Sequence, residues 1–481
     1  MKLRVGTASS VSLLFAVFLA ILMSLVLAWM SLPLAFGIGL ALAVLIVAIS
    51  SNEAALYLLI FSMLLGPEFV AGELTAGTTA GRGLTFRLDD ILLAIVGLAW
   101  LAKTALYKEL GLVFSTPLNR QIVAYAFAAF FATGLGMIAG RVEVLAGSLF
   151  VLKYIQYFVI YLMVVNNLRE RRQFERLLLA LLATAGIASL IGIRQIPAGQ
   201  RVSAPFEGPR AEPNTFGGYL ILMLALVAAL YLTSESWRRK FLLASLAIVI
   251  TLPLFFTLSR ASYVALIPLA GALFVFSDRK RLLAALFAVV LVLTPLVAPR
   301  AVVDRVTFTI SQPFHRDQVQ VAGVRLDTAT SARVKDWGQA VLEDWPKNPL
   351  FGVGVTGYRF IDAQYPRVLA ETGLVGLAAF LWLQVGLFRL ARARLKAARD
   401  PLFKGVSLGF LVGFIALLAH SIGSNTFIIV RIMEPFWFLA GMVVMIPELE
   451  RRPAVEPERA GARDFHSHGV RGGEGAAISR R

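Results

Sequence analysis

The apolar residues of this chain come in long, nearly uncharged runs, and nothing else in the sequence constrains its fold as tightly. A run of about 18 or more such residues is long enough to cross the roughly 30 Å hydrocarbon core of a bilayer as a helix. The alternation of a membrane barrel is missing, and a helix satisfies its own backbone groups. The pattern therefore predicts an all-α polytopic membrane protein. Composition agrees: 58% of the 481 residues are hydrophobic and 16% are charged, against about a half and about a quarter in soluble domains. Mean hydropathy is +0.76.

About fourteen transmembrane helices are expected. They lie near 10–29, 33–50, 54–70, 89–106, 119–140, 146–166, 174–193, 214–233, 240–257, 261–276, 282–298, 370–390, 404–421 and 431–447. The first follows Lys2 and Arg4, as the core of a signal peptide would. It is long, and a second span follows at once without a small-residue cleavage site, so it reads as a retained helix. Residues 1–447 thus form one transmembrane domain. The polar tail 448–481 is expected to be disordered and cytoplasmic.

Alternate loops carry the basic residues. Lys103 and Lys108, Arg169 to Arg176, Arg238 to Lys240, Arg279 to Arg281, and Arg392 to Lys404 fall on one side. Positively charged loops stay cytoplasmic, so both termini are assigned inside. The same bias explains much of the formal charge of +17. No soluble basic domain carries that charge, which argues against nucleic acid as a partner. Cysteine is absent, so there is neither a disulfide framework nor thiol chemistry.

The outer face then receives the connections 71–88 and 194–213, the turn at Ser259 and Arg260, and one large loop, 299–369, between the eleventh and twelfth spans. A loop this long is usually functional or disordered. Here Val334, Trp337, Val341 and Trp345 recur at helical spacing, which predicts an amphipathic helix over 331–345 lying on the membrane surface. No internal repeat of the kind found in transporters is evident.

Several outer-face residues could carry chemistry. Arg194, Arg201, Arg210 and Arg260 run against the positive-inside bias. Their planar forks of donors suit phosphate oxygens, although arginines near a bilayer also snorkel to lipid headgroups. Arg210 sits in Phe206-Glu-Gly-Pro-Arg-Ala-Glu-Pro-Asn-Thr215, where glycine and two prolines hold Glu212 and Asn214 on a rigid turn at a helix start. Helix N-termini attract anions; Asn214 could equally be a simple cap. Lys153, near the outer end of its span, is an intramembrane cation that reads either as a site candidate or as a side chain snorkelling to the outer headgroups. In the large loop, Asp327 and Arg333 could bind sugar or phosphate or form a loop salt bridge; Asp362 and Tyr365, with Glu371 just beyond the loop, follow glycines 352, 354 and 357. Asp362 reads either as a helix cap or as a general base for a sugar hydroxyl. Glu371, four residues after Arg367, reads as a helix-surface ion pair or a substrate ligand. The four histidines have no zinc-like spacing, so no metal site is expected, and no Gly-x-Ser-x-Gly elbow is present.

In order along the chain stand Lys153-Tyr-Ile-Gln-Tyr157, Glu212-Pro-Asn214, Thr257-Leu-Ser-Arg260, Ser331-Ala-Arg333 with Trp337, Gly352-Val-Gly354 and Glu371-Thr-Gly-Leu-Val-Gly376. With its large outer loop, this set resembles the O-antigen ligase and O-antigen polymerase superfamily over about half the chain. The resemblance implies a glycosyltransferase without metal or cofactor at the outer leaflet of the bacterial inner membrane. Its donor would be an oligosaccharide on undecaprenyl pyrophosphate, in a cell-envelope pathway that also uses a glycan-export or chain-length partner. Arg210 and Arg260 match the family's pyrophosphate-binding arginines. One position departs: family ligases usually carry a His-Asn pair before the tyrosine of the loop, where this chain has Asp362-Ala363. Either Asp362 takes the role of the base or the site works differently, and a polymerase is preferred over a ligase. Pro366 also replaces the usual leucine. Other classes open to such a chain are a flippase for lipid-linked glycans and a non-catalytic partner in glycan export.

Overall fold

A computed structural model describes residues 32–66, 68–70, 85–106, 115–205, 212–297, 300–316, 318–321 and 323–451. The expected first span, Arg210 and the tail beyond residue 451 lie outside the described residues. In chain order the helices are α1 (Leu32–Ser50), α2 (Asn52–Leu65), α3 (Leu88–Leu106), α4 (Asn119–Ile138), α5 (Val144–Asn167), α6 (Arg171–Gln195), α7 (Pro213–Thr233), α8 (Trp237–Phe256), α9 (Arg260–Phe276), α10 (Lys280–Val297), α11 (Arg300–Ser311), α12 (Thr328–Gly338), α13 (Gln364–Ala397), α14 (Pro401–His420) and α15 (Val430–Arg451). Two short antiparallel hairpins pair β1 (Glu68–Val70) with β2 (Thr85–Arg87), and β3 (Gln320–Val321) with β4 (Val324–Arg325).

Eight helices among the described residues, α4 to α8 and α13 to α15, are long and apolar enough to cross a membrane. The protein is a multi-pass helical membrane protein by this criterion. Two expected boundaries change. The span expected over 54–70 ends at Leu65, where the Gly66 amide bonds back to the Ser62 carbonyl and the chain turns into β1. Its 14 residues rise about 21 Å. The tail was expected from residue 448, but α15 runs on to Arg451. Glu450 accepts hydrogen bonds from the Arg399 and Asp400 amides, which ties this last turn to the α13–α14 connection.

In lipid, helix pairs cohere by close packing rather than by water exclusion, so small residues mark the contacts. Gly405, Gly409 and Gly413 repeat every fourth residue on α14 and face α7. A side chain at Gly409 would fall 2.7 Å from the Leu226 Cα, so the two backbones approach as only glycine permits. With α15, these helices form the buried centre of the bundle; α8 is peripheral and presents Phe241, Leu242 and Ile248 outward.

Polar contacts divide the bundle into two ends. At one end Arg171 pairs with Asp400, Arg176 with Glu53 and Lys404 with Asp278, while Lys103 bonds Asn52. These are residues of the basic loops assigned to a common side. The large loop, the β1–β2 hairpin and the α8–α9 turn occupy the other end.

Candidate active site

Residues from well-separated stretches of chain meet at the loop end. Ser259 caps α9: its Oγ accepts from the Ser262 amide at 3.2 Å and donates to Asn214 Oδ1 at 2.7 Å. The Asn214 amide in turn donates to Glu212 Oε1 at 3.0 Å. The Glu212–Asn214 turn and the Thr257–Arg260 turn are thus one hydrogen-bonded unit joining the starts of α7 and α9. Leu258 reverses the chain with a φ of 49°, which makes Arg260 the first residue of α9.

Arg260 reaches into the large loop. Its Nη1 donates to Asp327 Oδ2 at 2.6 Å and to Thr330 Oγ1 at 3.1 Å. Asp327 is only 2% exposed and also caps α12 through the Thr330 amide. Burial alone would push the Asp327 carboxyl up, but the bonds from Thr330 and Arg260 outweigh it and hold the group below the usual carboxylate range. Arg201 donates to the Thr257 carbonyl at 3.0 Å, alongside the same turn. Arg305, on α11, lies within electrostatic reach of Arg260 and Arg333, and Arg201 within reach of Arg305 and Arg333. Burial, and next the neighbouring arginine, pushes the guanidinium pKa of both Arg201 and Arg305 down. Arg333 donates to Asp362 Oδ2 at 3.0 Å.

Four arginines therefore converge with Glu212, Asp327 and Asp362. The Nε and Nη2 atoms of Arg260 and the Nε of Arg333 are buried without a hydrogen-bond partner among the described residues. Buried donors are normally satisfied, and unmet ones in an arginine cluster are chemically suited to an anion. The N-terminus of α9 adds its dipole in the same sense.

The other sequence candidates are placed as follows. Asp362 does not cap α13, whose N-cap is Ala363; it pairs with Arg333, partly exposed, at the edge of the cluster. Glu371 forms a buried pair with Arg367 at 3.1 Å and accepts from the Tyr154 hydroxyl at 3.3 Å. Its backbone carbonyl receives the Gly354 amide. It holds the glycine segment against α13 rather than lying on a helix surface. The Tyr365 hydroxyl donates to the Leu418 carbonyl and accepts from Ser421, which pins the start of α13 to the end of α14. Lys153 pairs with Asp90 at 3.3 Å in a second polar cluster with Gln156, Glu434 and Asp89. The helix expected over 331–345 forms as α12 followed by a π turn. Its Trp337 packs on Tyr358, Ile361 and Ala370, within the loop's own small core.

Sequence reasoning missed Arg305. It sits in a helix whose other charged residues, Arg300 and Asp304, are exposed, and only its three-residue spacing from the buried Val302 marks its face as inward. Arg201 and Arg194 looked alike in sequence and both are exposed, yet Arg201 bonds the Thr257 carbonyl and joins the cluster. Among the described residues, no group of three or more carboxylates or histidines could hold a metal ion. The chain matches no protein-family profile and no curated protein.

Proposed function

We propose that this chain is a membrane glycosyltransferase of the O-antigen ligase and polymerase type, acting on undecaprenyl-pyrophosphate-linked oligosaccharide at the outer leaflet. Polymerisation of an exopolysaccharide or O-antigen is preferred; ligation comes next. The observation that carries this reading is the convergence of Arg201, Arg260, Arg305 and Arg333, with donor atoms of Arg260 buried and unmet. The reading includes about fourteen spans, both termini in the cytoplasm, and the large loop outside.

The chemistry follows from the charge. As the attacking hydroxyl arrives at the anomeric carbon, the bond to the pyrophosphate breaks and negative charge grows on the leaving oxygens. Fixed arginine donors stabilise that charge best where little water competes, and one such donor is worth about 3 kcal/mol. Asp362, beside Arg333, would accept the hydroxyl proton, a contribution of about 10²–10⁴-fold. Arg210, by its place in sequence between Arg201 and Glu212, would add a further phosphate ligand. Holding two lipid-anchored reactants in line supplies much of the remaining acceleration.

The test is incubation of purified protein with an undecaprenyl-pyrophosphate oligosaccharide. Longer lipid-linked glycans mean polymerase, and transfer only to lipid A core means ligase. Absence of turnover under both conditions sinks the enzyme reading. A second reading, a flippase for lipid-linked glycans, draws on the other polar cluster. There Glu434 Oε2 and both Asp89 carboxylate oxygens are buried without a hydrogen-bond partner among the described residues, and buried intramembrane carboxylates are common in transport pathways.

A further inference from the structure

We propose that a groove between α13 and α14 is a binding site for an anionic phospholipid of the leaflet opposite the large loop. The groove has a volume of about 640 Å³, within the range of about 300–1,000 Å³ typical of ligand pockets. Arg389, Arg392 and Lys396 line one end of it. Spacings of three and four residues put them on a single face of α13, spread over about 10 Å. Phe388 on α13, with Phe414 and Leu418 on α14, makes the apolar wall. Gln384 lines the deep end with its side chain 6% exposed and its Oε1 buried without a partner.

These cations border an apolar groove and have no carboxylate beside them among the described residues. Arg171, Arg176 and Lys404, at the same end, are each paired with a carboxylate. Arg389, Arg392 and Lys396 have no ion-pair partner among the described residues, and no acidic side chain lines the groove. The positive-inside bias accounts for basic residues at a membrane surface. It does not account for an apolar channel running from them toward the bilayer centre. Together the two features match one ligand: a phosphate headgroup on the cations and an acyl chain along the aromatic wall. Basic pockets between helices on the cytoplasmic side are a recurrent way of holding such lipids. Three cations spread along α13 fit two phosphates better than one, so cardiolipin should bind more tightly than phosphatidylglycerol, and phosphatidylcholine should not bind specifically.

The chain purified in a neutral detergent would be titrated with each lipid and followed by native mass spectrometry and thermal shift. The expected result is a saturable adduct with cardiolipin, a weaker one with phosphatidylglycerol, and none with phosphatidylcholine or inorganic phosphate. In the triple variant R389Q/R392Q/K396Q, affinity for the anionic lipids should fall roughly a hundredfold, since each cation near an anionic headgroup is worth about a factor of five. The control is R238Q/R239Q/K240Q, which removes the same charge at the same end from α8, away from the groove. Equal loss in both variants would mean general electrostatic attraction and would overturn the site, as would equal binding of phosphatidylcholine. Adducts with inorganic phosphate alone would reduce the groove to an anion patch without a lipid. None of these outcomes depends on glycosyl transfer.

Discussion

Near the start of α9, Arg201, Arg260, Arg305 and Arg333 face Glu212, Asp327 and Asp362. Between α3, α5 and α15, Arg87, Lys153 and Arg431 face Asp89, Asp90 and Glu434. The second group balances three cations with three carboxylates, and Arg431 spends its donors on the carbonyls of Leu64, Gly66 and Pro205, closing the end of α2. Buried polar atoms without a hydrogen-bond partner among the described residues occur in both, at Arg260 and Arg333 in the first and at Asp89 and Glu434 in the second, but only the first has one arginine in excess. The difference teaches how to read charge inside a membrane protein. Unmet polar atoms alone do not separate the two; the surplus cation does, and a surplus cation suits an anion from outside.

Substitution can break this comparison, and the largest effect should come from Asp362. Asp362→Asn is expected to slow transfer by about 10²–10⁴-fold; turnover at the wild-type rate would reduce Asp362 to a partner of Arg333. Next, Arg260→Ala should cost about 10²–10³-fold in turnover with the protein still folded in the membrane. Retained polymer in that variant removes the arginine cluster from the chemistry. In the balanced cluster the loss should appear elsewhere. Lys153→Met leaves Asp90 without its cation and should destabilise the fold by about 3 kcal/mol, read as a lower midpoint of thermal unfolding in detergent. If its turnover per folded molecule also collapses, Lys153 belongs to the substrate site and the contrast between clusters fails.

The smallest effect concerns pH. Because the Asp327 carboxyl is held below its usual range, its contribution is fully present above the unfolded value of about 3.9 and is lost as pH falls through the lower folded value. Docking of the large loop on Arg260 should therefore be unchanged from neutral pH to about 5. Hydrogen exchange within 300–347, corrected for its intrinsic pH dependence, should rise only below about pH 4, and Asp327→Asn should remove that rise.

Eight of the expected spans were legible because a bilayer demands uninterrupted apolar length, a local property of the sequence. Arg201 and Arg260 were legible because arginines expected on an outer face run against the positive-inside bias, and Arg333 because it shares the large loop with Asp327. Arg305 was not, since its membership depends on how α11 folds back over the α8–α9 turn. The pairing of Glu371 with Arg367 was legible from spacing alone, but its burial beneath Tyr154 was not, because that requires α5 to pass beside the kinked start of α13. Asp362 looked like a cap because it precedes a helix; the helix begins one residue later than such a cap needs, and Arg333 claims the carboxylate.

The break in α13 at Gly373 has a mechanical consequence. Gly373 adopts φ 64° and ψ −165°, and any side chain there would strike the Leu350 carbonyl. Across the break, the Leu374 and Val375 amides bond to the carbonyls of Pro349 and Leu350. The returning arm of the large loop is thus stitched into the membrane helix itself. On the proposed function, a loop movement that admits a glycan would hinge earlier, between α10 and α12. An epitope inserted near Gly323 should leave the assembly working, while the same insertion at residues 349–357 should jam it.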